Sequence, residues 1–452
     1  MKIKNRLFAG LSAVCVTALP SIAHAQSSVT LYGVIDNGIA YSNSQTTLGS
    51  TSNGAHNVQL SPGIWEGSKF GMKGSEDLGG GLSAIFNLMS RFNSANGSAQ
   101  FPGAMFAQQA WVGLQDKAYG SLTLGRQYMS YYWMTSSYSP TTWLTGFSGA
   151  HPGDLDNFDT DYKTNNTVSY TTPTIDGLTA SASYALGGTP GSLNTGSSWS
   201  AGAKYQMGPF GIGAGFERFN NATPGGGAWN ANSTATNNGQ QGISSVTNGY
   251  QTAAAQNRFA VTAGYAFSPD LDLSASYSNV QYSPGAGSSF KSTAVWNTFG
   301  AVVHVRVAAV WNFAAGYSYT RASKANGITD GAQYQQASLS EFYSLSKRTG
   351  LYMVQAYQRA GGQTLGPNGA SIISATPSIG DGFNSTPSSS RSMVAVAAGV
   401  IHRFCRLPRC RGASYTRQSY GVCPAGASGS ITVHPSPRTL RITVWPNFLR
   451  TE

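Results

Sequence analysis

Charged side chains and long apolar runs are both scarce in this sequence. Charged residues make up 10% of its 452 residues, whereas soluble domains carry about 25%. Beyond the N-terminus, no run approaches the roughly 18 apolar residues of a membrane-spanning helix. If the chain crosses a membrane, it must therefore do so as a closed β-barrel, because lipid leaves no other way to satisfy the backbone hydrogen bonds.

Cysteine is absent between residues 26 and 404. The four cysteines are Cys15, Cys405, Cys410 and Cys423, and their spacing lacks the fourth ligand of a zinc site. A Gly-x-Ser-x-Gly nucleophile motif is also missing. The GIGAG of residues 211–215 lies in an alternating strand pattern and opens no helix, which speaks against a phosphate-binding loop. We therefore expect neither an enzyme nor a cofactor.

Positive charge is scarce over most of the chain, although the formal net charge is +11. Three of the basic residues lie in the first six positions, and the segment after Phe404 carries seven Arg and one Glu. A net charge of only about +2 remains for residues 26–404, so a nucleic-acid partner is not expected.

The N-terminus has the three parts of a secretory signal peptide. Lys2, Lys4 and Arg6 precede an apolar core at residues 7–19, and Ala23 and Ala25 frame a small-x-small cleavage site. We expect residues 1–25 to be removed after export.

Glycine and aromatic residues are abundant, and they are arranged as in an antiparallel barrel. The chain has 55 Gly, 23 Tyr, 20 Phe and 9 Trp, which suits strands with one apolar and one hydrated face, joined by Gly-rich loops. Short turn signals alternate with long polar segments. The seven tight turns are residues 76–81, 115–120, 173–177, 207–211, 268–270, 306–309 and 346–350. Seven hairpins plus a first and a last strand predict sixteen strands.

Side-chain alternation supports these strands. Val29, Leu31, Ile35 and Ile39 share one face of the first strand, and Asp36 lies on the other. A soluble sandwich would alternate in the same way, but the signal peptide, the low charge and the lack of a domain break favour an all-β transmembrane barrel over residues 26–404.

Several motifs resemble the general porins of Gram-negative bacteria, especially those of beta-proteobacteria. They are SKFGMKGSEDLGGGL, AWVGLQDKAYGSLTLGRQY, NNTVSYTTPTIDGL and the closing SMVAVAAGVIHRF. The resemblance implies a sixteen-stranded homotrimeric barrel in the outer membrane, in contact with lipid and lipopolysaccharide. Ions and small hydrophilic solutes would diffuse through it, and its third long loop would fold into the pore.

The last strand ends at Phe404, and the resemblance makes Val400, His402 and Phe404 the signal that the outer-membrane assembly machinery reads. Here 48 residues follow, rich in Arg and irregular in pattern. We interpret residues 405–452 as an atypical, disordered extension produced by a changed reading frame or a lost stop, with a natural periplasmic tail as the alternative. Such an extension would hinder assembly.

The loop-3 segment, residues 129–165, contains the densest acidic cluster. Its members are Asp154, Asp156, Asp159 and Asp161. They would form the negative edge of a pore constriction, opposite basic wall residues, and the resulting transverse field would tune ion choice. A solvated acidic loop and a calcium site remain as alternatives, although the Glu and Gly of a known calcium loop are missing.

The predicted basic wall consists of Lys69, Lys73, Arg91 and Arg126. Lys69 and Lys73 lie opposite the lipid-type face of their strand. Arg126 matches a wall arginine by resemblance, but its parity places it with Leu122 and Leu124 unless a bulge at Gly125 re-aims it.

The sequence is compatible with three functions. A general diffusion porin is the first. A substrate-selective channel is the second, suggested by aromatic residues of the loop-3 segment. An adhesive or structural surface barrel is the third, suggested by the long loop 220–257.

Overall fold

A computed structural model describes residues 28–47, 50–101, 103–159, 163–229, 246–380 and 386–404. The predicted signal peptide, residues 1–25, and the predicted extension, residues 405–452, lie outside these ranges, as do Asp161 and residues 230–245 of the long loop 220–257.

The fold consists of 21 strands and two short α-helices within the described residues. In the first half the elements are β1 (Ser28–Gln45), β2 (Ala55–Pro62), β3 (Lys69–Gly79), β4 (Leu82–Arg91), β5 (Gln109–Asp116), β6 (Gly120–Tyr128), α1 (Ser130–Thr135), α2 (Thr141–Gly149), β7 (Lys163–Thr171), β8 (Leu178–Ala185), β9 (Ser198–Met207) and β10 (Phe210–Asn220). In the second half they are β11 (Ala255–Ser268), β12 (Leu271–Ser283), β13 (Ala294–Val307), β14 (Trp311–Ala322), β15 (Gln333–Ser344), β16 (Thr349–Gly361), β17 (Gln363–Leu365), β18 (Ile372–Ser374), β19 (Ser378–Ile379), β20 (Thr386–Pro387) and β21 (Ser392–Phe404).

One antiparallel sheet closes on itself to form a barrel. Each strand from β3 to β16 pairs with the next, β16 pairs with β21, and β21 pairs with β1, with Gly33 opposite Phe404. β2 and β3 lie one after the other along the same side of β1. They therefore occupy one position in the wall, which has sixteen positions in all.

The predicted strand count is confirmed, and all seven predicted turns join neighbouring antiparallel strands. One segment was predicted incorrectly. The polar composition of residues 42–67 predicts one of the long loops, yet β2 lies within them and pairs with residues 37–45 of β1. The alternating Val58 and Leu60 carried the signal for this strand, but the polar residues around them obscured it.

Side chains alternate between the two faces of the wall. On β1 the exposed Leu31, Ile35 and Ile39 alternate with the buried Val34 and Asp36. Apolar residues dominate the exposed face, and Ser and Thr are frequent on the buried one. Buried examples from β8, β12 and β15 are Thr179, Ser181, Ser183, Ser274, Ser276, Ser278, Ser338 and Ser340. This is the pattern of a barrel with an apolar outer surface and a polar interior.

Long loops join the strands at the end opposite the short turns, and four of them pack together there. Their Tyr250, Phe290, Ile328 and Leu365 form one apolar cluster with residues at the ends of the neighbouring strands, among them Trp296. The loops are therefore packed against one another. None of the helices in the described residues is long and apolar enough to cross a membrane.

Candidate functional site

The loop-3 segment lies against the inner face of the wall, and α1 rests on β8 to β11. The Tyr131 amide donates a hydrogen bond to Ser200 Oγ at 2.6 Å, and Thr262 Oγ1 donates to the Thr135 carbonyl oxygen at 2.7 Å. Both wall residues are buried, on the face opposite the lipid-type residues. Main-chain atoms of α1 are thus tied to inward-facing wall side chains.

Glycines make this close approach possible. A Cβ atom on Gly213 would overlap the carbonyl oxygen of Met134, and one on Gly211 would overlap the Tyr138 hydroxyl. A Cβ atom on Gly215 would lie only 3.1 Å from the Tyr131 Cα atom, a tight contact. The GIGAG of residues 211–215, which shows only an alternating strand in the sequence, therefore packs against α1 through Gly213 and Gly215 and against Tyr138 through Gly211.

The second helix is held on a different part of the wall, β13 to β16. Gln336 Nε2 donates a hydrogen bond to the Ser148 carbonyl oxygen at 2.9 Å, and Ser340 Oγ donates to the Trp143 carbonyl oxygen at 2.7 Å. The Trp143 ring stacks on His304 of β13, with ring centroids 3.5 Å apart. α1 and α2 thus rest on separate arcs of the wall, and between the helices Tyr138 packs against Gly264 of β11.

Asp156 is held in place by two side chains, one from the loop-3 segment and one from the wall. Its Oδ2 atom accepts a hydrogen bond from Ser278 Oγ at 2.6 Å and lies 2.5 Å from His151 Nδ1. Burial raises the pKa of the Asp156 carboxyl, but the charge of His151 and the hydrogen bonds from His151 and Ser278 outweigh it, so the net pKa lies below the usual value. Asp156 therefore anchors the segment to β12 as a carboxylate.

The other acidic residues are placed differently. Asp154 is buried and accepts a hydrogen bond at Oδ1 from the Asp159 amide, at 3.1 Å. Asp159 is half-buried, with its carboxylate beside Gly146 of α2. The structure therefore brings three of the four predicted acidic residues together inside the barrel, and their role at a constriction remains a prediction.

The sequence interpretation missed a buried charged pair next to this cluster. Glu217 on β10 and Arg258 on β11 are opposite each other in the strand register, with Arg258 Nη1 3.7 Å from Glu217 Oε1. Asn157 Nδ2 donates to Glu217 at 2.8 Å, and Arg258 Nε donates to the Leu155 carbonyl oxygen at 2.8 Å. Glu217 and Arg258 both occupy inward-facing positions in the side-chain alternation of their strands. This alternation is the sequence signal that could have revealed them.

Lys69 and Arg91 lie on the inner face on adjacent strands. They are opposite each other in the register of β3 and β4. Lys69 Nζ is 2.7 Å from Glu66 Oε1, and Arg403 of β21 places Nη2 2.9 Å from Glu66 Oε2. Glu66 and Arg403 were not predicted as site residues. We call Lys69, Arg91 and Arg403 the wall-cation cluster.

Lys73 and Arg126 are separate from this cluster. The Lys73 ammonium lies 5.6 Å from the centre of the Tyr32 ring, further along the inner face of β3. The Arg126 guanidinium donates hydrogen bonds to the carbonyl oxygens of Ala107 and Lys163 and to Asn165 Oδ1, at 2.6, 2.9 and 2.6 Å. These bonds link Arg126 of β6 to the chain just before β5 and to the start of β7.

The register of β6 and β7 shifts between Gly125 and Gln127, so a bulge lies where the sequence suggested one. Arg126 is nevertheless engaged by chain segments beside its own strand. A wall role for Arg126 in ion selection stays a prediction.

The three residues of the predicted assembly signal lie on one face of β21. Val400 is exposed, and the Thr349 hydroxyl lies 2.9 Å from His402 Nδ1. The Phe404 ring covers Gly33 of β1, where a Cβ atom would overlap it. Phe404 therefore packs on the seam at which the first and last strands close the barrel.

Metal binding finds no support in the part of the chain that the structure describes. No group of three or more His, Cys, Asp or Glu residues there is arranged to hold a metal ion. The calcium alternative for the acidic cluster thus gains nothing from the geometry.

Comparison with known proteins identifies the family. The sequence pattern of the Gram-negative porin family matches residues 10–363, most of the chain. The chain belongs to the Gram-negative porin family. The predicted resemblance is confirmed, and the location is the outer membrane.

The relatives of this porin come from beta-proteobacteria. An outer membrane porin protein of Bordetella pertussis is 33% identical over 185 residues, covering 39% of this chain and 47% of the relative. Major outer membrane protein P.IB of Neisseria meningitidis is 32% identical over 213 residues, covering 44% and 56%. The chain spans about half the length of the curated relatives that it matches.

Solved porin structures share the fold. The anion-selective porin from Comamonas acidovorans superposes with a TM-score of 0.58 at 22% identity, covering 84% of this chain and all of that one. OmpF of Salmonella typhi gives a TM-score of 0.53 at 18% identity, covering 83% and 97%. At these identities the likeness shows the barrel alone. Members of the family are channel proteins rather than enzymes.

Proposed function

We propose that this porin is a passive diffusion channel for ions and small hydrophilic solutes. One observation carries the proposal: a closed barrel of sixteen strands has an apolar outer face and a polar inner face, with the loop-3 segment held inside. Sixteen strands enclose a lumen too wide for wall side chains to fill, so water occupies what the loop leaves open.

The charges inside the barrel would set ion choice. Asp154, Asp156 and Asp159 belong to the loop-3 segment, whereas Lys69 and Arg91 belong to β3 and β4 of the wall. Opposite charges on the two sides of a narrow aqueous passage orient dipolar solutes and favour ions by sign. Lys73, Arg126 and Asp161 are proposed to contribute to the same field.

A substrate-selective channel is a weaker proposal. The aromatic residues of the loop-3 segment that suggested it are largely occupied in packing. Tyr131 and Tyr132 are buried, and Trp143 stacks on His304. An aromatic track for sugars would need exposed ring faces along the passage.

We propose that this porin is exported and assembled in the way that the family resemblance implies. One solved structure with this fold, OmpT of Vibrio cholerae, is described as a trimer form, and we propose a homotrimer here, embedded in lipid and lipopolysaccharide. We also propose that residues 1–25 are a cleaved signal peptide, that residues 26–404 are the barrel, and that the assembly machinery reads Val400, His402 and Phe404. The protein has no proposed catalytic activity, cofactor or nucleic-acid partner.

Reconstitution in planar lipid bilayers tests the channel. We expect stepwise conductance that rises in proportion to salt concentration, and passage of small sugars into liposomes that falls with sugar size. Correctly folded barrels that leave the bilayer silent would rule the channel out. Current block by one solute at low concentration would instead favour the substrate-selective channel.

A further inference from the structure

The wall strand next to β1 is interrupted in its middle. β2 ends at Pro62, opposite Asn37, and β3 begins at Lys69, opposite Val34, so residues 63–68 face only two residues of β1. We call residues 63–68 the strand break. One of the two β1 residues, Asp36, is fully buried, and the amides of Trp65 and Glu66 both donate to its Oδ2 atom at 2.7 Å.

The strand break extends into the barrel rather than away from it. The Trp65 ring lies 4.8 Å from the ring of Phe342 on β15 and 5.5 Å from that of Tyr352 on β16, between centroids. Reaching these strands takes Trp65 past β1 and β21 on the inner face. Trp65 also belongs to one buried apolar cluster with Phe147 of α2. The strand break thus lies inside the barrel, on the part of the wall where α2 also packs.

Glu66 is the charged residue of this insertion, and it lies among the wall cations. It contacts both Lys69 and Arg403 through separate carboxylate oxygens, at 2.7 and 2.9 Å. Arg91 is beside it, because its guanidinium packs where a side chain on Gly67 would be. One carboxylate therefore sits within a group of three cations, and its side chain retains only about a tenth of its exposure to solvent.

We infer that the strand break is a specificity element of the pore, in which Glu66 sets the anion preference of the wall by offsetting the charge of the wall-cation cluster. The inference rests on the proposed channel function. Without Glu66, the cluster would act on passing ions with one more positive charge. A unit charge acting across about 10 Å of water at low ionic strength changes a local ion concentration about twofold. Glu66 thus determines the degree of selectivity.

Reversal potentials in a KCl gradient at low salt test this inference. We expect Glu66→Gln to raise the ratio of chloride to potassium permeability about fourfold, because chloride gains and potassium loses about twofold each, and Lys69→Gln to lower it. The double variant Glu66→Gln/Lys69→Gln, which has the wild-type net charge, should return close to the wild-type value. The matched control is Glu76→Gln, the same change at an exposed position near the short turn after β3, and it should leave the reversal potential unchanged.

Shifts of opposite sign that cancel in the double variant distinguish a charge effect from a packing effect, which would lack that sign pattern. Conducting Glu66→Gln channels with the reversal potential of the wild type and of Glu76→Gln would overturn the inference and leave the channel function intact. A silent wild type would refute the channel itself. Should Glu66→Gln fail to assemble on its own, the double variant decides by comparison with Lys69→Gln: a return from the potassium-shifted value to the wild-type value supports the inference, and equal values for the two variants overturn it.

Discussion

At the scale of single residues, a side chain predicted for the pore edge also has a structural use. The sequence places Asp156 in an acidic cluster suited to a pore edge, whereas the structure fixes its Oδ2 atom between His151 and Ser278. A hydrogen bond to a charged group contributes about 1.5–3 kcal/mol, and the buried carboxylate has two such partners. Asp156 therefore contributes to the position of the loop-3 segment as well as to its charge.

Asp156→Asn is predicted to loosen the loop-3 segment at neutral pH. The amide keeps the size of the side chain but loses the charge that His151 stabilises, so we expect a loss of about 1–3 kcal/mol in stability and noisier open-channel current. Thermal unfolding and single-channel recordings measure these effects. The control is Asp176→Asn, at an exposed turn. Equal stability of the two variants would show that Asp156 anchors nothing.

The lowered pKa of Asp156 predicts how the stability of the loop-3 segment depends on pH. The pKa of this carboxylate is lower in the folded protein than usual, so its stabilising effect is complete above the ordinary carboxyl pKa and is lost as pH falls through the lowered value. We therefore expect wild-type current noise to stay constant down to about pH 4 and to rise below it. Asp156→Asn should lack this acid transition, and an identical transition in both proteins would assign it to other groups.

At the scale of elements, the GIGAG strand shows how a loop is kept inside a barrel. Gly213→Ala is predicted to displace α1, because the new Cβ atom would overlap the backbone oxygen of Met134. Overpacking of this kind costs about 1–3 kcal/mol, and single-channel conductance should change with it. The control is Gly361→Ala in β16, where the nearest atom to the new Cβ would be 3.4 Å away. Unchanged conductance and stability in Gly213→Ala would mean that α1 does not need this contact.

Much of the wall could be predicted because its signals are local. Alternation and turn residues are read within one hairpin, so sixteen strands and seven turns were recovered from sequence. The contacts of the loop-3 segment are not local: Gly213 meets Met134, and Ser278 meets Asp156, each across a long stretch of chain. Periodicity carries no information about such pairs, which explains why the role of these wall residues was missed.

The strand break illustrates the same limit. Residues 42–67 looked like a polar loop, and nothing local indicated that Trp65 would reach β15 and β16 or that Glu66 would meet Arg403. Arg403 lies more than 300 positions from Glu66, and only closure of the barrel brings β21 beside β1. The charges of Glu66 and Arg403 therefore come together only when the barrel closes.

At the scale of the whole molecule, closure is complete at Phe404. Gly33 is opposite Phe404 in the register of β1 and β21, and the ring of Phe404 covers that glycine. Every wall position is thus filled by residues up to 404, and the seam requires no residue after it. The strand that the proposed assembly signal occupies is also the strand that closes the barrel.

A chain ending at Phe404 is therefore predicted to assemble better than the full-length chain, because the closing aromatic becomes terminal. Expressed side by side, the shortened chain should give several-fold more folded barrel in the outer membrane, measured as the band that shifts in a gel only after heating. A shortened chain carrying Phe404→Ala is the control and should lose the gain, since it lacks the ring that covers Gly33. Equal amounts from the full-length and shortened chains would show that residues 405–452 do not hinder assembly and would favour the natural-tail interpretation.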